Sequence, residues 1–492
     1  MNCMKTKQNQ RLAGVLMPVA SLPGTQGAGT LGSNARRFVD FLARTGFHIW
    51  QVLPLNPLGY GNSPYQPLSS YAGDPLYIDL EQLVEEGYLP KLPGVLPLTD
   101  RIDYEAARAF RDPLLRQAFS AFEAKGLEQG AFEAFCSAQS WVYPYAVFAA
   151  LKEQNGGKCW NQWPQEQRDW IVNRRYDIGG LETDIRFRMF LQYEFAKQWK
   201  ALKEYANGKG VYVAGDIPFY VGLDSLDVWQ GRDSFLLDQR GNPDFVAGVP
   251  PDYFSPTGQR WGNPIYDWEQ LQKDGFRFWL DRISYSATLY DIIRIDHFRA
   301  FDTFWKIPAS CPTAVEGEWI EPPGYELLDT LFQRMPNLWL IAEDLGDLRP
   351  EVLQLRDAFH LPGMNVAQFT LNRRGSVTRN QVSYTGTHDN QTVLGWYRSL
   401  KEGDRWWATH QLKKTGRRQA DVVERMIQMV LDCASDYAVI PAMDLLGLDD
   451  SGRLNTPGTV GSPNWEWRLT ELEELERRRG RLRCLIRHAG RL

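Results

Sequence analysis

Short apolar runs with the composition of β-strands alternate along the chain with segments of helical periodicity. Between 34 and 45, for example, Phe38, Phe41 and Leu42 recur at helical spacing. Alternation of this kind predicts βα units that build a parallel sheet. The predicted strands are 14–19, 49–53, 211–216, 289–296, 338–343, about 365–370, 382–386 and about 437–443.

Eight strands with intervening helices predict an α/β fold, a (β/α)8 TIM barrel that occupies 1–492 as a single domain with insertions between its strands. A bare barrel needs about 250 residues, so much of the chain is left for insertions. We expect a mostly helical insertion at 56–210, after the second strand, and a loop-rich insertion at 222–275, after the third. Within the first insertion, the clearest helical patterns cover 104–125, 130–154 and 183–206.

Four of the predicted strands end at, or lead into, a carboxylate. The four residues are Asp216, Asp296, Glu343 and Asp389. The carboxyl ends of barrel strands lie at one face of the barrel, so we expect these side chains to converge on one cavity. Because a buried carboxylate costs on the order of several kcal/mol unless it is paired, four such strand ends favour a catalytic rim.

Two of these carboxylates have neighbours that suit different chemical roles. Arg294 and Asp296 are two residues apart on one strand and share a face, so the guanidinium can hold the carboxylate ionised, as a covalent nucleophile requires. Glu343 follows an apolar strand and precedes Asp344. An apolar setting and a second carboxylate both raise the pKa of a glutamic acid, which favours a proton donor.

Each feature also has a structural explanation when it is taken singly. The Arg–Asp pair can be an internal ion pair, the Glu–Asp pair can open a helix, and His388–Asp389 and Asp216 can belong to turns. Taken together, the carboxylates are typical of retaining glycoside chemistry, which uses one acid and one nucleophile. A site for a divalent cation made of carboxylates is the main chemical alternative.

The charge and the apolar pattern of the chain argue against nucleic-acid-binding and membrane-spanning proteins. A net charge of -5 without a dense basic face gives no reason to expect a nucleic-acid partner. No apolar run is long enough for a membrane span, and residues 1–11 do not resemble a signal peptide.

Six scattered cysteines predict reduced thiols in a cytoplasmic protein. No metal set, phosphate loop or dinucleotide motif is present, so we expect no metal and no cofactor. Aromatic residues make up 13% of the chain, which suits either a large aromatic core or platforms for sugar rings.

The carboxylates stand within motifs that, in this order, resemble the 4-α-glucanotransferases known as amylomaltases or disproportionating enzymes. These proteins form glycoside hydrolase family 77, a relative of the α-amylases. The matching motifs run through almost the whole chain: WQVLPL at 50–55, SPYQ at 63–66, GDIP at 215–218, VPPDYFS at 249–255, WGNP at 261–264, RIDHFR at 294–299, AEDLG at 342–346, TGTHDN at 385–390 and NWEWR at 464–468.

The resemblance implies a role for each matching residue. Asp296 would be the nucleophile, Glu343 the general acid and then base, and Asp389 the residue that stabilises an oxocarbenium-like transition state. Other residues would bind the substrate: Asp216, Arg294, His297 and His388 at the reacting sugar or beside the nucleophile, Tyr65 beneath that sugar, Tyr253, Phe254 and Trp261 over the acceptor side, and Asn464 in a second loop of the cleft. The family has no C-terminal β-sandwich, which agrees with the helical pattern at 469–485.

The resemblance also implies the reaction. An enzyme of this family transfers α-1,4-glucan segments from a maltooligosaccharide, starch or glycogen-derived donor to the 4-hydroxyl of a glucan or of glucose, with retention. An amylase-like hydrolase and a non-catalytic glucan-binding protein are the alternatives. Ala300, Gln391 and the segment 21–27 depart from the usual family pattern. None of them is a proposed catalytic carboxylate, so they bear on subsite preference rather than on reaction type.

Overall fold

A computed structural model describes residues 11–251, 255–371, 377–415 and 420–492. Numbered in chain order, the strands of these residues are β1 (Leu12–Leu16), β2 (Ile49–Gln51), β3 (Tyr212–Ile217), β4 (Phe245–Val249), β5 (Gln259–Pro264), β6 (Ile292–Ile295), β7 (Phe304–Pro308), β8 (Glu318–Ile320), β9 (Leu340–Ala342), β10 (Gly363–Val366), β11 (Gln381–Tyr384) and β12 (Tyr437–Pro441).

The helices of the same residues fall between and around these strands. They are α1 (Ser33–Thr45), α2 (Leu80–Glu85), α3 (Tyr104–Lys125), α4 (Gln129–Ala138), α5 (Val142–Gln154), α6 (Gln165–Arg168), α7 (Trp170–Asn173), α8 (Glu182–Gly208), α9 (Leu226–Gln230), α10 (Trp268–Lys273), α11 (Arg277–Leu289), α12 (Gly324–Arg334), α13 (Pro350–Ala358), α14 (Ala367–Thr370), α15 (Val393–Ser399), α16 (Glu402–Lys413), α17 (Val422–Asp432), α18 (Ala442–Leu446) and α19 (Glu473–His488).

Within the described residues, eight strands form one parallel sheet in the order β10-β11-β12-β1-β2-β3-β6-β9. The two ends of this order meet where the backbone N–H of Ala342, in β9, donates to the carbonyl of Pro362, just before β10, at 2.9 Å. The sheet therefore curls into a nearly closed barrel. The predicted (β/α)8 fold is confirmed, and each barrel strand lies at or within a few residues of its predicted position.

One barrel strand departs from its predicted bounds. The sequence predicts a strand at about 365–370, whereas β10 ends at Val366 and the helix α14 follows directly. The hydroxyl of Thr370 donates to Asn365 Oδ1 at 2.6 Å and to the carbonyl of Val366 at 3.1 Å. These bonds fold the segment back on the strand end and leave Phe369 exposed.

Between β2 and β3 the chain runs through the helices α2 to α8. The helix α8 carries Glu182 and Asp184 in its first turn, where acidic side chains favour the positive end of the helix dipole. It buries an apolar face that includes Phe190 and Trp199, and Trp199 Nε1 donates to the carbonyl of Leu289 at 3.1 Å. This long helix thereby anchors the helical segment against α11 on the barrel.

A second sheet includes two strands, β4 and β5, within 222–275, a segment that the sequence predicts to be rich in loops. It is antiparallel, in the order β5-β4-β7-β8. Gly248 in β4 explains why sequence pattern misses it, since a Cβ there would stand 2.1 Å from the carbonyl oxygen of Gln259 on the neighbouring strand. The strand therefore needs a glycine where propensity argues against a strand.

The last described helix, α19, packs on α1, and exposed ion pairs such as Arg37–Glu473 at 2.6 Å join the two helices. Among the described helices, none combines the length with the apolar character that crossing a bilayer requires.

Candidate active site

A cavity of about 290 Å³ opens at the carboxyl ends of the barrel strands. Its walls combine carboxylates, histidines and aromatic rings with residues of the second sheet. The lining residues are Ser63, Tyr65, Gln66, Pro218, Phe219, Tyr220, Gln259, Trp261, Asn263, Asp296, His297, His388, Asp389, Asn455 and Trp465. Of the four carboxylates predicted to converge, Asp296 and Asp389 line this cleft, whereas Asp216 and Glu343 lie outside its lining.

Arg294 lies between two of the carboxylates. Its Nη1 donates to Asp216 Oδ2 at 2.6 Å and to Asp296 Oδ1 at 3.1 Å. The Asp216 side chain is fully buried, whereas that of Asp296 is 31% exposed toward the cleft. Arg294 therefore fixes Asp296 at the surface of the cavity, while Asp216 supports Arg294 from below and does not line the cleft.

Glu343 follows β9 and lies beside the turn after β6. Its Oε2 accepts from the backbone N–H of His297 at 2.7 Å, and its Oε1 accepts from that of Leu345 at 3.2 Å. His297 makes the first bond from a left-handed conformation with φ of 55°, which a residue other than glycine adopts at a cost. The strain directs the backbone N–H at the carboxyl group.

The neighbour of Glu343 has a structural task. Asp344 Oδ1 accepts from the backbone N–H of Met364 at 2.6 Å, and its Oδ2 accepts from Arg356 at 2.5 Å. The next helix begins only at Pro350. The helix-opening explanation for the Glu–Asp pair is therefore wrong, and Asp344 instead ties β9 to β10.

Burial raises the pKa of both Glu343 and Asp296, in each case to about 7. The Arg294 charge opposes this rise in both groups, the charge of Asp296 adds to the rise in Glu343, and the charges of Asp216 and Asp389 add to the rise in Asp296. Two such groups share protons as a pair. The proton resides on Glu343, because Arg294 donates directly to Asp296 and stabilises its ionised form.

Tyr65, His388 and Trp465 form an aromatic wall. The rings of Tyr65 and His388 stack at 4.9 Å, and Trp465 lies 5.7 Å from Tyr65. The Tyr65 hydroxyl donates to Asp216 Oδ2 at 2.8 Å, which links this wall to the ion pairs beneath it. Burial lowers the pKa of His388, which favours the neutral form of its ring.

Asp389 is held by a residue that the sequence analysis did not single out. Asn455 Nδ2 donates to Asp389 Oδ1 at 2.7 Å, and Arg453 donates to the carbonyl of Asp389 at 3.0 Å. The Asp389 side chain remains 44% exposed in the cleft. Asn455 and Trp465 escape prediction because they reach the cleft only when the loop after α18 folds back on His388.

Of the remaining residues predicted to bind substrate, one lines the cleft and the others do not or lie outside the described residues. Trp261 lines the cleft, with its ring edge-on to His297 at 4.9 Å and 83°. Asn464 lies outside the lining, since its amide accepts from the backbone of Thr456 and donates to Thr459, both at 2.9 Å. Tyr253 and Phe254 lie outside the described residues.

The carboxylates of the cleft do not form a metal-type cluster. In the part of the chain that the structure describes, no three His, Cys, Asp or Glu side chains are grouped to hold an ion. The site carboxylates are bound instead by Arg294, by backbone N–H groups and by the amide of Asn455. This arrangement matches acid–nucleophile chemistry.

Comparison with known proteins agrees with the fold and identifies the family. Residues 17–474 match the family model described as 4-alpha-glucanotransferase, glycoside hydrolase family 77. A 4-alpha-glucanotransferase of Thermus thermophilus is 42% identical, with 98% of this chain and 99% of the relative covered. One from Streptococcus pneumoniae is 42% identical over 94% of each chain.

Among solved structures, an amylomaltase from Streptococcus agalactiae in complex with acarbose superposes with a TM-score of 0.93 at 34% identity, covering 98% of this chain and 100% of its own. The matches in sequence and in structure thus extend over nearly the full length. The chain belongs to the 4-alpha-glucanotransferase family, glycoside hydrolase family 77.

Proposed function

We propose that this 4-alpha-glucanotransferase transfers α-1,4-glucan segments by double displacement, with Asp296 as the nucleophile and Glu343 as the acid and base. The observation that supports these roles is the asymmetry between the two carboxyl groups. Arg294 donates to Asp296, while Glu343 accepts from backbone N–H groups. Burial brings the pKa of both groups to about 7, and the direct bond from Arg294 favours the ionised form of Asp296. The proton is then left on Glu343, where it suits proton transfer near neutrality.

In the first step, Asp296 attacks the anomeric carbon of the donor while Glu343 protonates the glycosidic oxygen. The bond between that carbon and that oxygen breaks, and the reducing-end part of the donor leaves with a new hydroxyl. A glucosyl ester of Asp296 in the β-configuration remains, and Glu343 is left ionised. Asp389, held by Asn455, stabilises the positive charge that develops on the sugar.

In the second step, Glu343 takes the proton of an acceptor 4-hydroxyl, and the acceptor oxygen attacks the same carbon. The ester bond to Asp296 breaks, and an α-1,4 bond forms. Because the carbon is inverted twice, its configuration is retained. Both catalytic carboxyls return to their starting protonation states.

Transfer prevails over hydrolysis only if an acceptor sugar displaces water from the intermediate. Trp261 and the aromatic wall of Tyr65 and Trp465 provide rings on which sugar faces can pack. We propose that Trp261, together with Tyr253 and Phe254 of the same loop region, forms the acceptor side. The reacting sugar is contacted, or the nucleophile is oriented, by Asp216, Arg294, His297 and His388. Asn464 stabilises its own loop.

The substrates that we propose are maltooligosaccharides, amylose, starch or glycogen-derived glucans as donors, with glucose as a further acceptor. Binding of acarbose by the Streptococcus agalactiae amylomaltase supports an oligosaccharide-sized cleft. Six scattered cysteines support a cytoplasmic location, where thiols stay reduced.

The experiment that tests this function is incubation of the purified protein with maltotriose, once with and once without EDTA, followed by separation of the products. Glucose together with maltopentaose and longer chains is the expected result. Glucose and maltose alone would identify a hydrolase. Unchanged maltotriose would favour a glucan-binding protein, and activity lost only in EDTA would point to a cation-dependent enzyme.

A further inference from the structure

A second, much smaller cavity lies behind Asp216 and is separate from the cleft. It offers about 10 Å³ of room, which is the space that the centre of one water molecule needs. Ser70 and Arg282 contribute to its walls, and Pro218 borders both this cavity and the cleft. The cavity therefore adjoins the catalytic site from within the protein.

Three residues of its wall carry a buried polar atom without a hydrogen-bond partner among the described residues. The atoms are Asp216 Oδ1, Ser70 Oγ and Arg282 Nε. These residues are 2%, 9% and 1% exposed. A buried polar atom without a partner has lost its hydrogen bonds to solvent and has gained none within the protein, which costs free energy. A buried water molecule commonly supplies the missing hydrogen bond.

A fourth such atom lies next to Ser70. Asp227 Oδ2 accepts from the backbone N–H of Ser70 at 2.8 Å, whereas its Oδ1 is buried and has no partner within the described part of the chain. Asp227 is outside the lining of the cavity. A rotation of the Ser70 hydroxyl is therefore the natural way to satisfy Oδ1.

We propose that this cavity is a binding site for one structural water molecule that positions Asp216. The water accepts from the N–H of Arg282 and donates its two hydrogens to Asp216 Oδ1 and Ser70 Oγ. The Ser70 hydroxyl in turn donates to Asp227 Oδ1. One molecule thereby satisfies all four atoms, with each donor matched to an acceptor.

The charges around the cavity favour water over an ion. A cation would stand against the Arg282 guanidinium, and an anion would stand against the Asp216 carboxylate, while either would lose its hydration shell in a space for one small molecule. A neutral molecule that both donates and accepts matches this mixed wall.

The position of this water connects it to the chemistry. The other oxygen of Asp216 accepts from Arg294 at 2.6 Å and from Tyr65 at 2.8 Å, and Arg294 holds Asp296. Arg282 also donates to the carbonyl of Phe219 at 3.1 Å, on the loop that lines the cleft. The water thus fixes the carboxylate on which the orientation of the nucleophile depends, and Ser70 is a positioning residue.

A crystal structure at a resolution that shows ordered water tests the site directly. A full-occupancy water within hydrogen-bond distance of Asp216 Oδ1, Arg282 Nε and Ser70 Oγ is expected. A dry cavity, an ion, or a direct bond between Ser70 and Asp216 would overturn the proposal. This measurement needs no activity, so its failure is distinct from a failure of the proposed function.

The variant Ser70→Ala tests the positioning role, which rests on the function proposed for Asp296. Ser70 does not line the cleft, so kcat should fall about threefold to tenfold, the effect of about one hydrogen bond, while KM stays unchanged. Ser69→Ala is the matched control. Ser69 is also buried, but its hydroxyl accepts from the backbone N–H groups of Tyr71 and Ala72 within its own turn.

The control should lose thermal stability without losing kcat below its unfolding temperature. An unchanged kcat in Ser70→Ala, or equal losses of kcat in the two variants, would contradict the positioning role.

Discussion

Asp216 and Arg294 are register partners on the neighbouring strands β3 and β6, and Arg294 Nη1 lies 2.6 Å from Asp216 Oδ2. Both side chains are almost fully buried. The same nitrogen reaches Asp296 at 3.1 Å. Asp296, the proposed nucleophile, therefore takes its orientation from a cation that is fixed across the sheet.

The first prediction concerns this pair. Arg294→Met should lower the free energy of unfolding by about 3–5 kcal/mol, because it leaves Asp216 as a buried charge without its cation. Arg294→Met combined with Asp216→Asn should recover a large part of that loss. Urea unfolding of the single and double variants measures both. Arg37→Met, which breaks an exposed pair, should leave the unfolding midpoint unchanged, and an equal effect there would contradict the argument.

This pair also marks what a single sequence can predict. Arg294 and Asp296 share a face because they are two residues apart on one strand, and this follows from local geometry. That Asp216 stands beside Arg294 follows from the register of two strands separated by more than 70 residues, which local pattern does not define. The sequence therefore predicts which strands carry carboxylates, and only the fold determines which of them touch.

The second prediction separates the roles proposed for Asp296 as nucleophile and Glu343 as acid. Glu343→Ala and Asp296→Ala should each abolish turnover of maltotriose. With an α-maltosyl fluoride donor, whose leaving group needs no protonation, Glu343→Ala should still form the covalent intermediate, because Asp296 is intact. Intact-protein mass spectrometry should detect the added glycosyl mass in Glu343→Ala and not in Asp296→Ala. A glycosyl adduct in the Asp296 variant would overturn the assignment.

The third prediction concerns the proton on Glu343. Its pKa stands at about 7 because of burial and the negative charge of Asp296, with Arg294 opposing. Removing a negative charge favours the ionised form of a nearby carboxyl, so Asp296→Asn should lower the pKa of Glu343 toward its ordinary value. NMR titration of ¹³C-labelled glutamate carboxyls measures the change.

The same titration of Asp177→Asn, a change in the helical segment between β2 and β3, should leave the Glu343 pKa at about 7. A Glu343 pKa that stays constant or rises in Asp296→Asn would show that the two carboxyls do not interact.

The fourth prediction concerns Asn455, which a single sequence offers no signal to find. An asparagine in a loop is ordinary, and its role arises because its backbone N–H donates to the carbonyl of His388 at 3.1 Å and its amide donates to Asp389. Asn455→Ala removes a hydrogen bond to a charged group, so kcat should fall about tenfold to a hundredfold. Steady-state kinetics with maltotriose measures this.

Asn161→Ala provides the comparison for this variant, since Asn161 bonds the side chain of Asn242 on an exposed surface. It should keep the kcat of the unaltered protein. Full activity in Asn455→Ala would show that Asp389 needs no support from the loop.

The last prediction concerns the balance between transfer and hydrolysis. Trp261 borders the cleft with its ring edge-on to His297, 4.9 Å away, so its loss opens the acceptor side to water and removes a surface on which a sugar packs. In Trp261→Ala, the acceptor KM should rise about threefold to tenfold, and hydrolysis should rise relative to transfer. The ratio of new reducing ends to disproportionation products measures this shift, since transfer creates no net reducing ends.

Trp319→Ala is the control, because Trp319 lies in the same sheet beneath Arg299, and it is outside the lining of the cleft. If the two variants shift the ratio equally, Trp261 has no specific part in excluding water, and the choice of acceptor must reside elsewhere in the cleft.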